Sequence, residues 1–132
     1  MPPAAGQWTI PGGYVETDET LSQAVVREVS EETGVVCEVE SLLSVRSVAF
    51  GARHDTYVAF ALRYLSGDPV ADGIENDEAQ FVHQAELAAF GGLTGFSRTL
   101  AFAALGGAGG LSRFPYERSE PADLFVATPI VP

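Results

Sequence analysis

Basic residues are scarce in this chain. Seven Lys and Arg stand against eighteen Asp and Glu, giving a net charge of -11. A surface so short of cations lacks the footprint that non-specific binding to nucleic acid or to an anionic membrane requires, so neither is expected as a partner. A phosphate-bearing ligand is still allowed, because a bound cation reverses the local field. Cysteine is nearly absent as well: Cys37 stands alone. No intrachain disulfide can form, and a cytoplasmic setting is the expectation. Cys37 itself reads as a small core residue rather than a nucleophile. No signal peptide is expected either, since "MPPAAGQWTIPGG" has no basic region followed by an apolar run. The most apolar stretch, Leu87–Leu111, is interrupted by Arg98 and seven glycines. It reads as a buried helix with a loose end, not a membrane span.

What is present is enough for one globular domain. The 132 residues suit a single core, and 46% hydrophobic against 19% charged residues argues against disorder. "GQWTI" (Gly6–Ile10) reads as a short strand, and Pro11, Gly12 and Gly13 force a turn after it. Thr20 and Gln23 have capping-box spacing, which predicts a helix from Leu21 to Thr33. Leu21, Ala24, Val25 and Val29 form its apolar stripe, and Gly34 ends it. Val35–Phe50 reads as one long bent strand or two short ones. Thr56–Tyr64 alternates, with Val58, Phe60, Leu62 and Tyr64 on one face. After an acidic loop at Asp72–Glu78, a strand is expected at Ala79–His83, a helical turn at Gln84–Phe90 and a second helix at Ser97–Leu105. Residues 1–110 form the expected domain, and 111–132 a tail holding one apolar run, "LFVATPIV".

The helix at Leu21–Thr33 carries "REVSEE". Successive helical residues turn by about 100°, so Glu31 lies about 60° to one side of Glu28 and Glu32 about 40° to the other. Taken alone, "EVSEE" reads first as a solvated acidic face. Three carboxylates on one narrow face repel one another, and they stand in the half of the helix where its dipole disfavours anions. A cation among them would offset that cost, and hard oxygen ligands at this density suit Mg²⁺ or Mn²⁺.

The surrounding residues sharpen the reading. From Gly13 the chain runs through Glu19, Arg27-Glu28, Val29, Glu31-Glu32 and Gly34 to Val35. This resembles the Nudix box at every specified position, and the flanking "GQWTIPGG" and acidic loop extend the likeness over most of Gly6–Leu105. The resemblance implies an α/β/α sandwich around a mixed sheet. It also implies divalent-metal-dependent hydrolysis of a small-molecule substrate, a nucleoside diphosphate linked to another group. Carried onto this chain, Glu28, Glu31 and Glu32 are expected metal ligands with the carbonyl of Gly12 as a fourth. Arg27 is expected to hold the glutamates, with Glu19 as its ionic partner. The general base is expected on the box helix or on a loop, where Glu75 and Glu78 are candidates; each reads equally as a solvated loop charge. The alternative is a Nudix-fold nucleotide sensor that binds without turnover. The three intact glutamates favour the enzyme.

The substrate is not legible. The "SQPWPFP" signature of the NADH-type subgroup is absent, Phe50 stands where the ADP-ribose subgroup usually has proline, and no coenzyme A signature is present. Arg46, Arg53 and Arg63 read first as surface charges, with phosphate contact as the second reading. His54 and His83 lack metal-ligand spacing. Tyr57 and Phe50 suit a core as well as a stacked base, and Trp8 shares that ambiguity. Members of the family usually have a strand well ahead of the "W-x-x-PGG" segment, and only seven residues precede Trp8. The expectation is that Leu124–Val131 pairs with the sheet edge left open or that two chains associate as a homodimer, with Pro129 tilting the balance towards the dimer.

Overall fold

The computed structural model describes residues 7–74, 78–105, 111–113 and 125–127. Helix α1 (Leu21–Thr33) is followed by β1 (Val36–Phe50) and β2 (Arg53–Ser66). A 3-10 turn then spans Gln84–Ala89, and α2 (Gly95–Leu105), β3 (Leu111–Arg113) and β4 (Phe125–Ala127) complete the order. The sheet runs β2-β1-β3-β4, and every pair of neighbouring strands is antiparallel. A parallel pairing comes from the isolated bridge between Trp8 and Leu93.

The ends of α1 follow from its sequence. Thr20 accepts from the amide of Gln23, and the Gln23 side chain accepts from the amide of Thr20, so two orphan donors of the first turn are satisfied reciprocally. At the other end Gly34 adopts φ 75°, a left-handed conformation that disfavours a Cβ, and its amide donates to Ser30. Ala24 and Val29 face inward, while Leu21 stays partly exposed. Val29, Val35 and Cys37 form a buried cluster with Val25, Val26 and Leu62 against it. Full burial of one such valine contributes roughly 1.5–3 kcal/mol. Burial also pushes the Cys37 thiol pKa up, in keeping with a packed rather than a reactive sulfur.

The long bent strand is a single one. β1 pairs with β2 from Val36 to Phe50, with register shifts at Val36/Cys37, Val39/Ser41 and Leu42/Ser44 that bend the hairpin. In β2 the alternation works differently from the expectation. Ala59 is the buried residue and Tyr64 is exposed. Leu62 packs under α1, whereas Tyr57, on the opposite face by strand alternation, meets Phe96 of α2 at 5.1 Å between ring centroids. Each face of the hairpin therefore has its own helix, and apolar residues are needed on both.

Two expected strands are not formed. Of the expected Gly6–Ile10 strand, the described residues 7–10 yield only the Trp8 bridge, and 79–83 has no strand. In the first case Trp8 donates to the Gly92 carbonyl and accepts from the Thr94 amide, so its backbone pairs with a loop rather than a sheet. In the second, Phe81 lies exposed with its ring edge-on to Tyr64 at 5.5 Å, and the His83 side chain caps the 3-10 turn by accepting from Ala85. A capping role ends an extended segment. The tail does join the sheet. β3, which the sequence reading did not anticipate, pairs with Ser41 and Leu42 of β1, and Phe125–Ala127 of the anticipated run pairs with β3. Pro129 lies outside the described residues.

Candidate active site

The turn expected at Pro11–Gly13 is not formed: residues 11–16 are irregular and neither Gly12 nor Gly13 takes a positive φ, and the Pro11–Gly13 segment is positioned from both sides. On one side, Ser97 of α2 is 2% exposed and acts as a hub. Its hydroxyl bonds Thr9 Oγ1 at 2.9 Å, accepts from the Ile10 amide at 3.2 Å and accepts from Thr94 Oγ1 at 2.8 Å. Thr94 also accepts from the Ser97 amide, as an N-cap does. The segment carrying Trp8, Thr9 and Ile10 is thereby fixed to the start of α2. On the other side, the Gly12 amide donates to Glu32 Oε2 at 3.1 Å. A Cβ on Gly13 would fall 2.5 Å from the carboxyl carbon of Glu28. Gly13 does not adopt a positive φ. Glycine is needed there because the Glu28 carboxylate occupies the space a side chain would take.

Arg27 organises the acidic residues. Its five N–H donors are all used: Nε and Nη2 grip the two oxygens of Glu19 at 3.0 and 2.7 Å, Nη1 donates to Glu28 at 2.9 Å and Glu31 at 3.1 Å, and Nη2 also reaches the Tyr14 carbonyl at 3.1 Å. The bidentate bond to Glu19 is the chief reason the arginine's pKa is raised. The same bond, with a backbone bond at Glu16, holds the Glu19 carboxyl below its ordinary range. A planar fork suits this task where an ammonium would not. The Tyr14 contact was not foreseen, because no sequence pattern marks a backbone acceptor.

The three box glutamates are held by two partners. Glu28 and Glu32 face the Gly12–Gly13 segment, with side-chain exposure of 14% for the first and a buried position for the second, and Glu28 shares Arg27 Nη1 with Glu31. Glu31 is 61% exposed and turns to Arg27. Among the described residues no three His, Cys, Asp or Glu side chains come close enough to hold a metal ion together. Arg27 Nη1 bridges Glu28 and Glu31, so the cation offsets the repulsion between these two carboxylates. Gly12 contacts the box through its amide. The donor set itself, carboxylate oxygens flanking the Gly12–Gly13 segment with no soft ligand, fits a hard divalent cation.

Glu75 lies outside the described residues. Glu78 is exposed and forms no hydrogen bond or ion pair with the box among the described residues. Arg53 pairs with Asp55 at 3.0 Å and Arg63 with Glu38 at 3.4 Å, as surface charges do. Trp8 packs edge-on against Phe90. Tyr57 reaches the site in a way the sequence did not indicate: its hydroxyl would stand 3.0 Å from a Cβ on Gly12. Burial raises its pKa, Arg46 lowers it, and Glu32 raises it again, so the phenol lies between a cation and the box.

The same box decides the family. Residues 1–100 match the NUDIX domain. The chain belongs to the NUDIX domain family. Among relatives of this Nudix chain, an ADP-ribose pyrophosphatase from Methanocaldococcus jannaschii is 41% identical over 81 residues, 60% of this chain and 47% of the relative. The NAD-capped RNA hydrolase NudC of Escherichia coli is 40% identical over 82 residues, 62% of this chain and 31% of NudC. Over a shorter stretch of 41 residues, 31% of this chain and 11% of the relative, a putative nudix hydrolase 1 from Caenorhabditis elegans is 56% identical. The Nudix chain thus spans about half the length, or less, of the curated relatives it matches. No helix among its described residues is long and apolar enough to cross a membrane.

Proposed function

We propose that this chain is a divalent-metal-dependent Nudix pyrophosphohydrolase that cleaves the diphosphate of a nucleoside diphosphate linked to another group. The observation that carries the reading is the approach of Glu28 and Glu32 to the Gly12–Gly13 backbone within an unbroken box. The names of the relatives, a pyrophosphatase and a hydrolase, support the same reaction class. They point to two different substrates, and the subgroup signatures of both are missing here, so the class is proposed without a single member of it. Residues 1–110 are taken as the catalytic unit and 111–132 as a tail that extends its sheet.

Glu28, Glu32 and Glu31, with the Gly12 backbone, would hold Mg²⁺ or Mn²⁺. A divalent ion bound there supplies charge neutralisation of the diphosphate and Lewis acidity for attack by water. The protein's own contribution is positional. Arg27 pairs with Glu28 and Glu31 and restrains their side chains, and Glu19 restrains Arg27. The Gly12 amide fixes Glu32 Oε2, and the Glu32 carboxylate would serve as ligand or as proton acceptor. A loop carboxylate, Glu78 or Glu75, is the other candidate for that proton.

The test is phosphate release from ADP-ribose, dinucleoside polyphosphates, nucleotide sugars and nucleoside triphosphates, with Mg²⁺ and with Mn²⁺. Glu32→Gln serves as the control, because the amide oxygen can still accept from Gly12 while the charge is gone. Turnover by the wild type that falls at least about 100-fold in the variant, with unfolding temperature preserved, supports the reading. Nucleotide binding with no turnover of any substrate would instead establish the sensor.

A further inference from the structure

The chain contains no lysine, so its seven cations are all arginine. Four of those among the described residues are engaged. Arg27 is saturated by the acidic cluster, Arg53 and Arg63 pair with Asp55 and Glu38, and Arg98 donates to the carbonyls of Leu87, Ala88 and Phe90. Arg46 differs. It is exposed, and its recorded partners among the described residues are aromatic rings: the guanidinium carbon lies 4.2 Å from the centroid of Phe96 and 5.5 Å from that of Tyr57. Tyr57 stands directly opposite Arg46 in the β1–β2 register, and its ring meets Phe96 edge-on. The Tyr57 hydroxyl in turn abuts Gly12, whose amide holds Glu32. A continuous set of contacts therefore runs from Arg46 to the box.

This placement has a chemical consequence. An exposed arginine ordinarily samples many rotamers, and two rings from two elements limit that freedom before any ligand arrives. Rings satisfy the faces of a guanidinium but not its in-plane N–H groups, and those groups match phosphate oxygens in a bidentate fork. The box presents a concentration of negative charge in a molecule of net charge -11. A polyanionic substrate needs a counterweight beside it. We propose that Arg46, braced by Phe96 and Tyr57, binds a phosphate of the nucleoside diphosphate substrate at the rim of the box and so sets the site's preference for that anion. The location rests on the hydrolase reading; the binding test does not require turnover.

The probes are α,β-methylene-ADP, which cannot be hydrolysed at its diphosphate, and adenosine, which has no phosphate. Each is titrated calorimetrically with Mg²⁺ present against the full chain and against Arg46→Gln and Arg46→Lys. The expected result is a loss of about 10-fold or more in affinity for the diphosphate analogue in Arg46→Gln, with adenosine binding and unfolding temperature unchanged. Arg46→Lys falls between, keeping the charge and losing the fork. Raising the salt weakens the analogue more steeply in the wild type than in Arg46→Gln. Equal affinity of wild type and Arg46→Gln overturns the proposal, as does failure of the wild type to bind the analogue. A parallel loss for adenosine also overturns it, since that would make Arg46 a platform for the base. Arg46-dependent binding in a protein that hydrolyses nothing would keep this inference and defeat the hydrolase reading. Hydrolysis with an unchanged KM in Arg46→Gln would do the reverse.

Discussion

Gly13→Ala separates catalysis from folding at one atom. The added Cβ would lie 2.5 Å from the carboxyl carbon and Oε1 of Glu28 and 2.6 Å from Oε2, well inside any real contact. To reach ordinary van der Waals distance the carboxylate has to retreat by about 0.9 Å. It can do so, because it is the end of a flexible side chain, but it must then leave the Gly12–Gly13 backbone and pull on Arg27 Nη1. Displacing a reacting or ligating group by about 1 Å costs on the order of 100-fold, or about 2.7 kcal/mol in the barrier. Folding should not suffer. Gly13 has no positive φ, so alanine fits the backbone, and restricting the unfolded chain adds about 0.4–1 kcal/mol of stability. The expected outcome is therefore a fall of about 100-fold in kcat/KM with an unfolding temperature equal to or above that of the wild type. Gly91→Ala is the matched control: nothing lies within 4 Å of its Cβ and its φ is not positive, so activity should be unchanged. Wild-type kcat/KM in Gly13→Ala would refute the claim that the Glu28 position matters to catalysis.

Thr20→Ala removes one half of the capping box and should lower stability by about 1 kcal/mol in thermal or urea unfolding, while Thr20→Ser restores it. Glu19→Gln tests the linkage of Arg27 to pH. The folded Glu19 carboxyl lies below its ordinary value of 4.5, so its contribution is complete above that pH and is lost as pH falls from there through the lowered folded value. The stability gap between wild type and Glu19→Gln should thus be constant near neutrality and close on acidification below about 4.5; a gap that widens in acid refutes the assignment. A chain ending at Gly110 lacks β3 and β4 and leaves the β1 edge at Ser41 and Leu42 unpaired. Each unpaired backbone group costs roughly 1–3 kcal/mol where buried. Light scattering and thermal unfolding should show a less stable chain or one that self-associates; a monomer as stable as the full chain would show that the tail strands are dispensable.

Local chemistry made α1 fully legible in the sequence. Thr20, Gln23 and Gly34 act within one turn of the backbone groups they satisfy, so their effect does not depend on the rest of the fold. The spacing of Arg27, Glu28, Glu31 and Glu32 likewise fixes one helical face before any packing occurs. Elsewhere the decisive partner is distant in the chain. Trp8 alternates like a strand residue, but Gly92 and Thr94 take its backbone bonds. Phe81 and its neighbours look extended, yet no strand comes alongside, and His83 is drawn into a cap. In β2, alternation alone could not show that both faces would be covered, because Phe96 arrives from a helix some forty residues later. The site divides in the same way. Sequence placed three carboxylates together, and tertiary structure decided that Glu28 and Glu32 meet the Gly12–Gly13 segment while Arg27 bridges Glu28 and Glu31. Only the β1–β2 register set Arg46 beside Tyr57 and carried Tyr57 to Gly12. Helical position is a property of residues a few apart, whereas charge neutralisation and close approach are settled by whatever the folded chain brings into reach.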